Sequence, residues 1–373
     1  MPSYEDIPTP ALLIDEEKMQ RNIQRMIKAA VNNKIELRPH FKTHKSIWIA
    51  KEQLKAGAVG ITVAKPSEAE LLFKHGVTNI LLAFPIVDPK KIDQLLQVAE
   101  GKQLIFATDS LEQAKIVNEK ADKHNTEQEV WIKVNSGLNR CGTEPGEETV
   151  HLAKKISDLS NLKVTGLFTH AGHSYAATTE QERVEIAETE TNTILQTAQL
   201  CEHAGITIEH RSIGSTPTFE IGATINGITE IRPGNAVFFD GVQAGLGVAK
   251  HEEVALKVLG TIVSKKTDRI ILDTGSKALT TEKGAHGNES IKGFGKVIHP
   301  SKRIEITRLS EEHGMIDLKG NEEVSLEDFS IGEKVEIIPN HACTAVNLYE
   351  KYYVLKKTGD ISTSPIDARG CSQ

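Results

Sequence analysis

Residues 35–45 read Ile35-Glu36-Leu37-Arg38-Pro39-His40-Phe41-Lys42-Thr43-His44-Lys45. An apolar-alternating run opens the stretch, a basic turn follows, and a helical pattern covers residues 46–56. The turn therefore places five potentially cationic side chains at the carboxyl end of a strand, where α/β folds bind their ligands. A lysine crowded by other cations has a depressed pKa and is nucleophilic towards a carbonyl. A solvated basic turn would have the same composition, so the rest of the chain decides between the two interpretations.

Short apolar runs alternate with helical patterns over about 205 residues on either side of this turn. The strand-like runs cover residues 35–38, 59–64, 80–84, 104–108, 130–134, 164–169, 208–213 and 231–239. The helical patterns cover residues 46–56, 67–75, 89–99, 110–124, 147–159 and 181–204. Eight such runs predict a parallel (β/α)8 TIM-like barrel. An open doubly wound sheet is the alternative, but no Gly-x-Gly-x-x-Gly follows the first strand.

The pattern changes at about residue 245. Residues 254–264, 269–273, 303–308 and 334–338 have strand character, charged and Gly-rich turns such as residues 283–288 separate them, and no long helical pattern remains. This predicts a smaller β-rich, β-barrel-like domain. We expect a barrel over residues 10–245 and a second domain over residues 246–373, joined by residues 1–9.

Composition restricts the classes of function. The 373 residues carry a net charge of -7, which argues against a general affinity for nucleic acid. The four cysteines have no framework spacing, which is typical of a reducing compartment. No apolar run approaches the roughly 18 residues of a membrane span. The sequence therefore predicts a cytoplasmic globular protein whose partners include neither nucleic acid nor a membrane.

Two glycine-containing turns follow late strands of the predicted barrel. Gly214-Ser215-Thr216-Pro217 offers backbone N–H groups and hydroxyls, and Gly234-Asn235 offers a second nest after the next strand. The first turn alone would also suit an ordinary helix start with proline in the first turn. Two nests on adjacent late strands match the phosphate position of barrel enzymes. Together they predict a phosphate site.

Other strand ends carry side chains suited to chemistry. Arg140 follows a clean apolar strand and could serve in a loop ion pair or contact a ligand. His170, His173 and Tyr175 lie within one turn, where histidines could be structural or catalytic. These alternatives remain open from the residues alone.

The second domain contains a possible metal pair, His341 and Cys343. If residues 339–347 formed a strand, both side chains would point to one face and could bind one ion. Two protein ligands leave coordination positions open, as a catalytic site requires. A half-buried strand with an incidental cysteine is the alternative.

Taken together, the motifs resemble those of one known family. In chain order they are Thr9-Pro10-Ala11-Leu12-Leu13-Ile14-Asp15, Arg38-Pro39-His40-x-Lys42-Thr43-His44-Lys45, Ser136-Gly137-Leu138-x-Arg140-Cys141-Gly142, His170-Ala171-Gly172-His173-Ser174-Tyr175, Gly214-Ser215-Thr216-Pro217, Arg232-Pro233-Gly234-Asn235 and Pro339-Asn340-His341-x-Cys343. Their order resembles the D-threonine aldolase / D-serine dehydratase family, whose fold is the alanine-racemase type (fold type III). The resemblance spans nearly the whole chain.

The resemblance implies a pyridoxal-phosphate-binding barrel with a β-domain, assembled as a homodimer. Lys42 would attach the cofactor covalently, and Lys42 or a histidine such as His173 would move protons. The phosphate would be held by Ser215, Thr216, Gly234 and Asn235. Arg140 would contact the cofactor ring, and Tyr175 would contact the cofactor or the substrate. A divalent metal would be bound by His341 and Cys343.

The implied reaction is the metal-assisted dehydration and deamination of a D-β-hydroxy-amino acid, such as D-serine or D-threonine, to a keto acid and ammonia. His-x-Cys resembles the dehydratase branch, and a thiolate favours zinc, with manganese or magnesium as alternatives. An aldolase that yields glycine and an aldehyde remains open, as do an amino-acid racemase and a non-enzymatic cofactor carrier. One departure is residues 236–240, where many relatives have tyrosines and this chain has Ala-Val-Phe-Phe-Asp.

Overall fold

The structure is a computed structural model that describes residues 4–284, 291–299, 302–319 and 325–373. Its first strand, β1 (Ala11–Asp15), leads directly into helix α1 (Glu16–Asn32). Asp15 caps this helix, since its carboxylate accepts a hydrogen bond from the backbone N–H of Lys18 at 3.0 Å.

Eight parallel strands form a curled, TIM-like sheet, as the alternating pattern predicts. They are β2 (Glu36–Leu37), β3 (Ile61–Val63), β4 (Asn79–Leu82), β5 (Gln103–Thr108), β6 (Gln128–Lys133), β7 (Leu162–Phe168), β8 (His210–Ile213) and β9 (Glu230–Ile231). Their order is β2-β9-β8-β7-β6-β5-β4-β3. The two end strands also meet, because the Val59 N–H donates to the Leu37 carbonyl at 2.9 Å and His40 forms a parallel bridge with Thr62.

Helices follow the strands of this sheet. They are α2 (Ile47–Ala56), α3 (Pro66–Lys74), α4 (Pro89–Val98), α5 (Leu111–Lys123), α6 (Glu147–Ser157), α7 (Glu180–His203), α8 (Phe219–Ala223) and α9 (Gly241–Gly245). The first six, α2 to α7, lie at the predicted positions, whereas the short α8 and α9 were not predicted. Strand residues that face these helices join the main hydrophobic core, whereas Leu81, Ile105, Trp131 and Phe168 pack together on the other face of the strands. Alternation along each strand thus fills both sides of the sheet.

The second domain is built on antiparallel pairing, with two short helices, α10 (Ser276–Leu279) and α11 (Ala342–Val346). Its strands are β10 (Leu256–Lys266), β11 (Arg269–Leu272), β12 (Lys296–His299), β13 (Lys302–Glu305), β14 (Arg308–Leu309), β15 (Gly314–Asp317), β16 (Lys334–Ile338), β17 (Lys351–Leu355) and β18 (Ile361–Pro365). The longest path through the sheet runs β13-β12-β16-β10-β1-β17-β18. The predicted β-rich domain is confirmed.

Strand β1 belongs to this second sheet, because it pairs antiparallel with β10 and parallel with β17. The predicted division assigns residues 10–15 to the barrel, so the sheet in which this strand lies differs from the expectation. The apolar composition of β1 fits either sheet. Only its pairing with β10, which lies more than 240 residues further along the chain, shows which sheet it joins. The division at residues 245 and 246 stays a proposal.

The predicted strand over residues 231–239 is wrong beyond Ile231, because Pro233 and Gly234 end the pairing and a 3-10 helix covers Asn235–Val237. The predicted turn over residues 283–288 lies partly outside the described residues. Among the described residues, none of the helices combines the length and the apolar composition needed to cross a membrane.

Candidate active site

A cavity of about 250 Å³ lies at the carboxyl ends of the barrel strands, against the second domain. Its lining residues are His40, Lys42, Thr43, Ala83, Lys133, Arg140, Phe168, His170, Tyr175, Gly214, Ser215, Thr216, Arg232, Gly234, Asn235, His341 and Cys343. All the site residues predicted from sequence are among them except His173. The cavity thus collects motifs from six strand ends and from the second domain.

Lys42 enters the cavity from a 3-10 helix, Phe41–Thr43, that follows β2. His40 caps this turn, since its Nδ1 accepts a hydrogen bond from the Lys42 backbone N–H at 3.3 Å. Burial lowers the pKa of the Lys42 amine, and the nearby cations Arg140 and Lys133 lower it further. A larger fraction of the amine is therefore neutral than in a solvated lysine.

Of the other four potential cations of this turn, His40 lines the cavity with Lys42, and Arg38, His44 and Lys45 do not. Arg38 points away from the cavity and forms a buried ion pair with Glu230, with Nε 2.7 Å from Oε2. Lys45 pairs with Glu68 at 3.6 Å, and His44 is buried at a separate position. The expected cluster of five cations is therefore wrong for Arg38, His44 and Lys45, because strand alternation, burial and distant acidic partners direct these side chains elsewhere.

The other lysine and arginine residues of the cavity follow two other strands, β6 and β9. Lys133 is the last residue of β6, and its Nζ lies 3.0 Å from the Cys141 sulfur. Arg232 follows β9 and donates to the Thr169 carbonyl and the Ser212 hydroxyl. Burial lowers the pKa of Arg232 to about 10. Lys133 and Arg232 were not among the predicted site residues, although Arg232 lies in a quoted motif and Lys133 ends a predicted strand.

The two predicted nests lie on one wall of the cavity. Ser215 Oγ is 3.0 Å from Ser174 Oγ and 2.8 Å from Thr218 Oγ1, which fixes the first turn. Gly234 is closely packed, because a Cβ there would lie 3.0 Å from Thr43 Oγ1 and 3.1 Å from the His40 Cβ. The glycine therefore lets the second nest approach the turn that carries Lys42.

The histidine turn contributes a different residue from the one predicted. His170 lines the cavity, and its Nδ1 lies 2.6 Å from the Gly214 carbonyl oxygen. His173 does not line it; its ring packs beside Gly137, where a Cβ would lie 3.2 Å from the ring. Tyr175 lies in the 3-10 helix Gly172–Ala176 and reaches the cavity, where burial raises the pKa of its hydroxyl.

His341 and Cys343 do meet, although not in the predicted strand. β16 ends at Ile338, His341 caps helix α11, and Cys343 lies in its first turn. Its five residues are too few to show helical periodicity, so no local pattern predicts this short helix. The His341 ring hydrogen-bonds the Cys343 thiol, and the thiol sulfur lies 3.2 Å from Thr43 Oγ1. The pair therefore stands beside the turn that carries Lys42.

The environment of this pair favours opposite charges on its members. Burial alone would raise the pKa of the Cys343 thiol, but His341 and then Lys42 lower it to a value below the ordinary one. Burial likewise opposes the charged form of His341, yet Cys343 and Glu282 raise its pKa well above the usual range. Among the described residues, no group of three or more His, Cys, Asp or Glu side chains has metal-binding geometry.

The chain is similar to known proteins along nearly its whole length. The family described as alanine racemase, N-terminal domain, matches residues 14–241, and a putative serine dehydratase domain matches residues 255–355. D-threo-3-hydroxyaspartate dehydratase of Delftia sp. (strain HT23) is 34% identical over 96% of both chains. D-serine dehydratase of Dictyostelium discoideum is 29% identical over 96% of both chains. D-threonine aldolase of Arthrobacter sp. is 27% identical over 98% of this chain and 94% of its own.

Solved structures show the same similarity. The Delftia dehydratase superposes with a TM-score of 0.90 at 32% identity, covering 98% of this chain and 99% of that one. A cysteine-to-alanine variant of D-threo-3-hydroxyaspartate dehydratase, described as the metal-free form, superposes with a TM-score of 0.91 at 32% identity and the same coverage.

Proposed function

Since the chain belongs to the D-threonine aldolase / D-serine dehydratase family of fold type III pyridoxal-phosphate enzymes, we propose that it is a cofactor- and metal-dependent lyase of D-β-hydroxy-amino acids. The reaction is dehydration and deamination to a keto acid and ammonia. One observation carries the proposal: Lys42 and the His341–Cys343 pair line one cavity, joined through the contact of Thr43 with Cys343 at 3.2 Å.

The lining residues fit pyridoxal phosphate. A phosphate dianion suits a cavity that Lys133, Arg140 and Arg232 line with positive charge and in which none of the described lining residues is Asp or Glu. Ser215, Thr216, Gly234 and Asn235 would hold the phosphate, Lys42 would attach the cofactor, and Arg140 and Tyr175 would contact it. When bound, the cofactor withdraws electron density from the substrate Cα.

His341 and Cys343 fit a divalent metal with open coordination positions. A thiolate ligand favours zinc, while manganese and magnesium remain alternatives. When bound, the metal would act as a Lewis acid on the substrate hydroxyl oxygen. The lowered pKa of Cys343 supports this role, because the thiolate is the form that binds metal.

Proton transfer falls to residues that reach the cavity. Lys42 would hold the cofactor, and its Nζ, whose pKa burial lowers, could accept the proton from the substrate Cα. His170 is the histidine of its turn that lines the cavity. The catalytic role predicted for His173 stays a prediction, and this residue does not line the cavity.

Dehydration is favoured over the other outcomes of this fold. The His-x-Cys pair resembles the dehydratase branch, and a dehydratase is 34% identical to this chain. A racemase has no use for the metal pair. A racemase of this fold commonly takes its second base from a tyrosine of the second domain, and Tyr349 and Tyr352 of that domain do not line the cavity. An aldolase remains the second candidate, because an aldolase is 27% identical over nearly the whole chain.

A homodimer in the cytoplasm is part of the proposal. The family resemblance supports the dimer, and the free state of the four cysteines is consistent with a reducing compartment.

The experiment that tests the function is incubation of the purified, cofactor-loaded protein with D-serine and, separately, with L-serine. The proposal predicts pyruvate and ammonia in equal amounts from the D-isomer only. Equal turnover of both isomers, or turnover of the L-isomer alone, would contradict it.

A further inference from the structure

A carboxylate of the second domain contacts the histidine of the metal pair. Glu282 Oε1 lies 2.9 Å from His341 Nδ1. The two side chains are only 27% and 13% exposed, so water competes weakly for the contact. Glu282 follows α10 in the chain and is separated from His341 by 59 residues. The contact is therefore a product of the fold rather than of local sequence.

The backbone at Glu282 is held in place by the residue that precedes His341. Asn340 is 1% exposed, and its Nδ2 donates to the carbonyl of Glu282 at 3.3 Å and to that of Gly293 at 3.0 Å. Asn340 and His341 thus bind the backbone and the side chain of the same residue. This double attachment fixes the distance between the Glu282 carboxylate and the imidazole.

We propose that Glu282 is a positioning residue that orients His341 for metal binding. Its carboxylate accepts a hydrogen bond from the proton-bearing Nδ1 of His341. This bond leaves the lone pair of Nε2 for the ion and fixes the plane of the imidazole ring. The negative charge also increases the donor strength of the imidazole. This inference rests on the proposed function, because it requires that His341 bind a metal.

The structure separates this role from direct ligation. Glu282 contacts Nδ1, and the imidazole ring presents Nε2 on its opposite side. A metal bound to Nε2 is therefore not also bound by the Glu282 carboxylate. The role also predicts a graded effect: glutamine retains an acceptor oxygen but loses the charge, whereas alanine loses both.

The test measures zinc affinity by chelator competition on the cofactor-loaded protein. Glu282→Ala should bind zinc roughly 10- to 100-fold more weakly than the wild-type protein, and Glu282→Gln should lie between the two. The matched control is Glu312→Ala, which removes an exposed carboxylate of the same domain that pairs with Lys277 and not with the metal pair. Its zinc affinity should stay within about twofold of wild type.

Cobalt substitution supplies a readout that a general loss of stability would not produce. In the cobalt-loaded Glu282→Ala variant the sulfur-to-cobalt absorption of Cys343 should persist, while the ligand-field bands shift because the imidazole is reoriented. Loss of one oxygen ligand in the X-ray absorption spectrum would instead show direct ligation and overturn the positioning role.

Failure of the inference differs from failure of the proposed function. Wild-type affinity in Glu282→Ala, with a wild-type protein that binds zinc, would overturn the inference alone. Absence of zinc binding by the wild-type protein would overturn the inference together with the metal part of the proposed function.

Discussion

The carboxylate of Asp240 accepts a hydrogen bond from the backbone N–H of Ala342 at 2.8 Å, inside a fully buried contact between the barrel and the second domain. The same oxygen accepts from the side chain of Asn235, and the other oxygen accepts from the Gln243 N–H at 3.0 Å. Asn235 belongs to the proposed phosphate site, and Ala342 lies between His341 and Cys343. Asp240 therefore connects the two halves of the candidate site.

Asp240→Asn should weaken both cofactor and metal binding. An asparagine amide directed at Ala342 or Asn235 would place a donor against a donor, at a cost of about 1–2 kcal/mol per lost hydrogen bond. We expect both dissociation constants to rise by roughly 5- to 30-fold, as measured by absorbance titration and chelator competition. Asp268→Asn, an exposed carboxylate paired with Arg269, is the control. Unchanged affinity for either group would show that Asp240 does not connect them.

Lys42→Ala should abolish covalent attachment of pyridoxal phosphate. Borohydride reduction of the cofactor-loaded wild-type protein should fix the cofactor on a peptide that contains Lys42, which mass spectrometry can identify. Lys133→Met is the matched control, because Lys133 is the other lysine of the cavity wall. If the Lys42→Ala variant were still labelled at another lysine with wild-type yield, the assignment would be wrong.

Removal of the metal should stop turnover without releasing the cofactor. Chelator treatment, or Cys343→Ser, should lower kcat by at least about 100-fold, because a Lewis acid contributes several kcal/mol to departure of a hydroxyl group. The cofactor absorbance should remain, and added zinc should restore the chelated wild-type protein. Turnover that survives complete metal removal would disprove a catalytic metal.

His44 should make the fold sensitive to acid. Burial lowers the pKa of His44 from 6.5 to about 3. Below pH 6.5 this imidazole is therefore protonated in the unfolded chain and stays neutral in the folded chain. The corresponding stability is complete above the unfolded pKa and is lost as pH falls towards the folded one. Between about pH 7.5 and 5.5, the wild-type protein should lose about 1.4 kcal/mol more free energy of unfolding than His44→Gln. Urea denaturation measures both, and parallel losses would contradict the prediction.

The barrel and its helices could be predicted from sequence because both periodicities are local. Apolar runs and amphipathic stretches mark β2 to β8 and α2 to α7 with small errors at their ends. Strand β1 could not be assigned to its sheet, since pairing with β10 depends on residues far along the chain. The end of β9 was not predicted, because Gly234-Asn235 was interpreted as a nest without the effect of Pro233 and Gly234 on strand pairing.

The candidate site shows the same limit. Motifs at strand ends converge on one cavity because parallel strands end at one edge, so Lys42, Arg140, Ser215 and Asn235 were found. The direction of the Arg38 side chain depends on Glu230, which lies 192 residues further along the chain. No local sequence pattern identifies Glu230 as its partner. The contact of Glu282 with His341 likewise joins a loop and a helix cap that no local pattern relates.

The most direct test of the account is a product analysis with D-serine, D-threonine and D-threo-3-hydroxyaspartate. Keto acid, ammonia, glycine and aldehyde are measured in the same reaction of the cofactor- and zinc-loaded protein. The account predicts keto acid and ammonia in equal amounts from at least one substrate, without glycine. Glycine with an equal amount of aldehyde, or no turnover of any of the three substrates, would contradict it.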